Sequence, residues 1–342
     1  MQAKAFISGC QSTRLTPEER SFFEIEKPVG LILFARNVET PEQVSELTRE
    51  FREIVGRSDA PILIDQEGGR VQRLKPPVWP SYPASGTWSA LYKQDQEAAL
   101  RGVYLTSMLM GVDLAKIGVS VSCLPVLDLY FDFASKVVGD RAYSDDPEAV
   151  AHMGRKAIEG CLAAGILPII KHIPGHGRAL ADSHLELPVV ETKLEELRQT
   201  DFVPFKALAD CSMGMTAHIV FSDIDSEHPA TQSAVVIEQI IRGEIGFAGC
   251  LFSDDLSMKA LKGEMDERTR KVYEAGCDVA LHCNGELNEM QQVASVAPLL
   301  AGKAKERLEV ALAGVSPRAI DATLEKELRD ELDALVNRAK EL

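Results

Sequence analysis

The sequence predicts an α/β fold in which eight parallel strands, each followed by a helical segment, close into one barrel, and three observations predict it. Short apolar or β-branched runs alternate with longer segments of helical periodicity, an order that gives a parallel sheet with right-handed crossovers. The runs are nearly continuous in their hydrophobicity, as strands covered on both faces require. Eight such runs can be counted, the number that closes a (β/α)8 barrel of the TIM type, with an open doubly wound sheet as the alternative.

In chain order the strands are read at 5–7, 31–34, 62–64, 119–127, 167–170, 214–217, 250–253 and 279–282. Between them the helix-like segments are 40–55, 96–117, 147–164, 194–209, 233–241 and 264–275. The tail, 317–342, is rich in Glu, Lys, Leu and Ala at helical spacing and is expected to pack as an outer helix; a coiled-coil dimer is the less common use of such a segment. No internal repeat or low-complexity linker divides the chain, so 1–342 is expected to be a single barrel domain and the molecule a monomer, with a dimer as the alternative.

Composition sets the outer bounds. With 342 residues, 45% hydrophobic and 26% charged, the chain is of globular type and long enough to bury about three quarters of its unfolded surface. A net charge of −15 argues against a nucleic-acid partner and favours a small or neutral substrate. The seven cysteines, at 10, 123, 161, 211, 250, 277 and 283, form no CxxC pair and no zinc-ligand spacing, which fits a reduced, cytoplasmic location. Ile7-Ser8-Gly9-Cys10 superficially matches a lipoprotein cleavage box, but no apolar stretch precedes it, so the match is read as accidental. No run reaches the roughly 18 apolar residues of a membrane span. Gly68-Gly69 opens no GxGxxG fingerprint, and no cofactor is expected.

The polar residues carry the functional signal. Arg36-Asn37, Asp65-Gln66-Glu67, Asp128, Lys171-His172, His218, Asp254-Asp255 and Asn284 each follow a strand directly. In a barrel those positions converge on the C-terminal mouth, where barrel enzymes carry their active sites. Helix capping is the structural reading of such acids and is expected for about half of them, which leaves the whole set unexplained. The densest cluster is Lys171-His172-Ile173-Pro174-Gly175-His176-Gly177 with Asp182-Ser183-His184, three histidines and an acid in a stretch whose Gly and Pro prevent a helix. A lone histidine is more often a core or surface residue; three in one loop point to chemistry.

Four ordered blocks then carry a resemblance. Ile64-Asp65-Gln66-Glu67-Gly68-Gly69-Arg70-Val71-Gln72-Arg73, the 171–177 segment, Asp182-Ser183-His184 and Phe252-Ser253-Asp254-Asp255-Leu256-Ser257-Met258 resemble the signature blocks of family 3 glycoside hydrolases, specifically the bacterial β-N-acetylhexosaminidases of peptidoglycan recycling. The resemblance runs from about Gly30 to Asn284. It implies a single-barrel cytoplasmic enzyme that removes terminal, non-reducing N-acetylglucosamine from anhydromuropeptides. By matching position it implies Asp254 as nucleophile and His184, partnered by Asp182, as acid/base. Asp65, Arg73, Arg141, Lys171 and His172 would surround the hydroxyls and acetamido group of the sugar. Those types suit the roles, since a carboxylate accepts from two hydroxyls while Arg and Lys donate to oxygens. Retaining hydrolysis usually employs two carboxyl groups about 5 to 5.5 Å apart. A histidine can replace one, because its ordinary pKa near 6.5 lies close to working pH and a neighbouring carboxylate stabilises the imidazolium. Asp255 is read as the capping neighbour of Asp254, while Asp128 and His218 are assigned to the pocket wall.

Two other enzyme classes compete. His172, His176, His184 and Asp254 could supply nitrogen and oxygen ligands for a metal-dependent hydrolase, although Pro174 and Gly175 break the one-face helical geometry that makes such spacing diagnostic. A phosphorylase of the same family is the subtler rival, since a histidine repels incoming phosphate less than a carboxylate would. A catalytically idle sugar-binding barrel is disfavoured, because the nucleophile and donor positions are both filled.

Overall fold

A computed structural model of the chain describes residues 3–314, 318 and 320–342. Its main sheet is parallel throughout: β1 (Lys4–Ser8), β2 (Pro28–Leu33), β3 (Ile62–Ile64), β4 (Val121–Ser122), β5 (Leu167–Pro168 and Ile170–Ile173), β6 (Met213–Thr216), β7 (Cys250–Asp255) and β8 (Val279–His282). β1 lies between β2 and β8, and the order continues β2, β3, β4 on one side and β8, β7, β6 on the other. The two halves of β5 finish both ends: Leu167 and Pro168 pair with β4, and Ile170 and Ile173 with β6. The sheet therefore closes on itself as an α/β barrel, and the open-sheet alternative falls.

Burial follows from closure. One apolar set, including Ile7, Ile32, Leu63, Val121, Met215 and Phe252, fills the barrel interior, and Leu308 of the helix Gly302–Ala313 packs against it. A larger set packs the outer faces of the strands against the helices. Strands buried on both faces read as continuous apolar runs, which is why they were legible.

Helix starts are set by local chemistry. Thr40 accepts from the Gln43 N–H ahead of Pro41–Ile54, Asp95 from the Ala98 N–H ahead of Gln96–Lys116, and Asp146 from the Glu148 N–H ahead of Pro147–Ala163. These caps satisfy donors that the first helical turn leaves free.

Four expectations need correction. The 119–127 strand is regular only at Val121–Ser122, because Pro125 has no N–H to continue the ladder towards β3; towards β5 the bonding runs on irregularly, with the Leu124 and Pro125 carbonyls accepting from Ile169 and Lys171 N–H at 3.0 and 3.1 Å and Leu127 N–H donating to the Lys171 carbonyl at 2.7 Å. Lys171, His172 and Ile173 belong to β5 rather than to the loop after it. The 194–209 helix is broken into Leu194–Gln199 and Phe202–Ala207, since Pro204 cannot donate to Thr200 and Asp201 is drawn aside to Arg178 at 2.7 Å. The 233–241 segment is helical from residue 234, but it runs on as the π-type helix Val236–Glu244 and so ends later than expected.

The helix Ala322–Lys340 packs on Gln96–Lys116, where Arg329 donates to Asp113 at 2.7 Å and to the Tyr82 hydroxyl at 2.9 Å. Residues 317 and 319 of the tail segment lie outside the described residues. Among the described residues no helix is long and apolar enough to cross a membrane.

Candidate active site

The site is built at the C-terminal ends of β3, β5 and β7, where carboxylates and cations sit at alternate positions. Asp65 and Glu67 are two residues apart, so in extended chain they point to the same side. Between them lies Lys171 of β5, whose Nζ is 2.8 Å from Asp65 Oδ1 and 2.7 Å from Glu67 Oε1. Arg73 completes Asp65 at 3.0 Å, and Arg141 grips Glu67 bidentately at 2.8 and 2.9 Å. Burial alone would raise the Asp65 and Glu67 pKa values, but the cations outweigh it and hold both carboxyls below their ordinary range. Lys171 is likewise held charged against its burial by Asp65 and Glu67.

The hairpin carrying Arg73 is fixed by Gln66, whose Oε1 accepts from the Arg73 and Leu74 N–H groups. At the hairpin's turn Gly68 has φ +91°, and a Cβ there would stand 2.2 Å from the Pro83 carbonyl oxygen. Only glycine fits that approach.

A histidine layer stands beside this array. Asp128, fully buried, accepts from His172 Nδ1 at 2.6 Å and from the His176 N–H at 2.6 Å. Burial would raise the Asp128 pKa, yet the His172 contact dominates and draws it down to about 2. His176 Nε2 meets Ser183 Oγ at 2.9 Å. His176 is pushed down to about 4 by burial first and by His172 second.

Asp254, near the end of β7, is half-buried and accepts from the Asp255 N–H at 2.8 Å. Burial works against its charge, but His218, His172, that N–H and His184 together keep it below its ordinary value. Asp255 turns the other way, accepting from the Ser257 and Cys283 N–H groups at 3.0 Å each. It caps a turn and ties β7 to β8, rather than capping a helix. Across the same cavity, His184 Nδ1 lies 2.8 Å from Asp182 Oδ1, which also accepts the His184 N–H at 2.9 Å. The Asp182 carboxyl is held below its ordinary value by these bonds against its burial.

A cavity of ≈590 Å³ brings the expected set together: Asp254, Asp182 and His184 line it, and so do Asp65, Arg73, Arg141, Lys171 and His172. Asp128 and His218 do not line it. Each is buried one layer behind, Asp128 under His172 and His218 between the Thr231 hydroxyl and the Asp255 carbonyl. Arg36, Asn37 and Asn284 prove structural: Arg36 and Asn37 donate to the Cys10 carbonyl, and Asn284 joins Glu289 at 2.6 Å and caps the Glu286 N–H. Glu67 also lines the cavity and was given no role from the sequence; its two-residue offset from Asp65 was the available signal. Among the described residues no three or more His, Cys, Asp or Glu side chains are arranged to hold a metal ion, and all seven cysteines are buried and unpaired.

Comparison with known proteins agrees with this geometry. Residues 10–315 match the family model described as the glycosyl hydrolase family 3 N terminal domain. Curated β-hexosaminidases are similar: the one from Alkalilimnicola ehrlichii is 41% identical over 81% of this chain and 80% of its own, and one from Xylella fastidiosa is 39% identical over 82% and 84%. Among solved structures, NagZ from Neisseria gonorrhoeae in complex with N-trifluoroacetyl-D-glucosamine superposes with a TM-score of 0.89 at 29% identity, over 98% of this chain and 99% of that one. A barrel with this mouth, matched over most of its length by β-hexosaminidases, belongs to family 3 of the glycoside hydrolases and is of the β-hexosaminidase type.

Proposed function

We propose that the chain is a retaining β-N-acetylglucosaminidase that removes terminal, non-reducing N-acetylglucosamine from anhydromuropeptides in cytoplasmic cell-wall recycling, with residues 1–342 as one catalytic domain and no cofactor. The observation that carries the reading is one cavity holding an ionised, strand-mounted carboxylate, Asp254, together with an imidazole, His184, oriented by Asp182. Asp254 attacks the anomeric carbon while His184 protonates the departing glycosidic oxygen, giving a covalent glycosyl ester. The now neutral His184 then takes a proton from water, which attacks the ester and frees Asp254. Asp182 keeps the imidazole in place and stabilises its cationic form. Asp65, Arg73, Arg141, Lys171 and His172 bind the sugar, and their mutual bonds pre-set donors and acceptors before substrate arrives. The N-acylated glucosamine in the similar gonococcal NagZ structure supports this sugar choice.

The test is release of 4-methylumbelliferone from its N-acetyl-β-glucosaminide by wild type and Asp254→Ala, with and without EDTA and phosphate. Free N-acetylglucosamine, produced indifferently to both additions and lost in the variant, is expected. The chelator arm matters because a second gonococcal NagZ structure, 28% identical with a TM-score of 0.86, is in complex with zinc ion. Loss of activity in EDTA would favour the metal-dependent reading, and a sugar 1-phosphate product would favour the phosphorylase. Release of N-acetylglucosamine from an N-acetylglucosaminyl anhydromuropeptide checks the natural substrate.

A further inference from the structure

The Asp182-Ser183-His184 segment alternates in exposure. The Asp182 and His184 side chains are 35% and 62% exposed, whereas Ser183 is 2% exposed. A short segment whose outer side chains face a cavity and whose middle one is buried is held by that middle residue. Two contacts hold it here. Ser183 Oγ lies 2.9 Å from His176 Nε2, and the Ser183 carbonyl accepts from the Ala260 N–H at 3.2 Å.

Both anchors are fixed to the site. His176 donates its backbone N–H to Asp128, the carboxylate that also holds His172, and its ring meets the His172 ring edge-on at 5.5 Å between centroids. Ala260 sits on the turn that follows Asp254, six positions further along the chain. Ser183 is thus tied on one side to the sugar-binding histidine layer and on the other to the turn after the nucleophile. The His176 ring spends its hydrogen bonding on this contact, since His176 Nδ1 is buried without a partner among the described residues. Burial keeps His176 neutral at working pH, so its charge is not what it contributes.

We propose that Ser183, gripped by His176, is the positioning residue of the acid/base pair, setting where Asp182 and His184 stand over the bound sugar. The inference rests on His184 being the acid/base. Its consequence is selective: loosening the pin weakens proton delivery to the leaving oxygen while leaving the attack by Asp254 and the sugar contacts in place.

The test compares kcat/KM, which reads the glycosylation step, on two aryl N-acetyl-β-glucosaminides, one with the acidic leaving group 2,4-dinitrophenol and one with phenol. The variants are Ser183→Ala, His176→Phe, which keeps a ring but cannot bond Ser183, their double variant, and His184→Ala. A positioned general acid contributes roughly 10² to 10⁴-fold, and a misplacement near 1 Å costs on the order of 10²-fold. Ser183→Ala and His176→Phe are therefore each expected to lower the phenyl rate about 10 to 100-fold and the dinitrophenyl rate less than about 3-fold. The double variant should lose no more than either single one, because both remove one contact. Should Ser183→Ala fail to fold, His176→Phe carries the same comparison. Equal losses on both substrates, no loss, or additive losses would overturn the pin. If His184→Ala itself shows no preference for the acidic leaving group, the acid/base assignment falls and the pin with it, a result distinct from failure of the pin alone.

Discussion

Glu67 shows what one residue contributes to this site and what a sequence conceals about it. Its carboxylate is 3% exposed and neutralises Lys171 and Arg141 together, so removing its charge leaves two buried cations facing each other with less compensation. Glu67→Gln should lower stability by about 3 kcal/mol, read from the denaturant midpoint, and raise KM more than it lowers kcat, because the cations proposed to bind the sugar lose their fixed positions. An unchanged KM would remove Glu67 from the binding array. That the eight expected residues meet in one cavity was foreseen through the family resemblance, helped by strand-end positions for Asp65, Lys171, His172 and Asp254. Glu67 lies in the same block, but its role depends on Arg141, 74 residues distant, and no local pattern reports that pairing. The same holds for Asp128 and His218, whose strand-end positions were plain and whose turn behind the wall was not.

At the scale of elements, the strand count and order were legible and the strand ends were not. Apolar runs covered on both faces give themselves away, whereas the break in β4 depends on where Pro125 falls against its neighbours, and the helix split depends on Pro204 and the Asp201 to Arg178 pair. The loop after β5 is seated by such a close approach. A Cβ on Gly177 would stand 2.2 Å from the Leu129 carbonyl oxygen, so a side chain there must push the 177–188 loop off the loop that follows Asp128. Gly177→Ala is expected to cost about 1 to 3 kcal/mol by overpacking and to lower kcat about tenfold, since this loop carries Asp182 and His184. Wild-type kinetics in the folded variant would show that the loop position does not set the chemistry.

For the whole molecule, the acidic surface of a chain with net charge −15 surrounds a floor where Lys171, Arg73 and Arg141 face Asp65 and Glu67. Acid will unfold the protein through its buried histidine layer. His176, ordinarily near 6.5, is held down to about 4, so below pH 6.5 the unfolded chain takes up a proton that the folded one refuses. Stability falls as pH drops from about 6.5 to 4, by about 3 kcal/mol from this residue. Asp128, held to about 2, adds a further loss between its ordinary value of 3.8 and about 2, where the unfolded carboxyl takes up a proton that the folded one refuses. The Tm of His176→Phe should therefore vary less than that of wild type between pH 6.5 and 4; parallel curves would contradict the assignment. The central claim, a glycosyl ester on Asp254 turned over by His184, is tested most directly by mass spectrometry of His184→Ala after incubation with 2,4-dinitrophenyl N-acetyl-β-glucosaminide. A single N-acetylglucosaminyl adduct on the peptide containing Asp254 is predicted, and rapid turnover without an adduct, or an adduct on another residue, would contradict it.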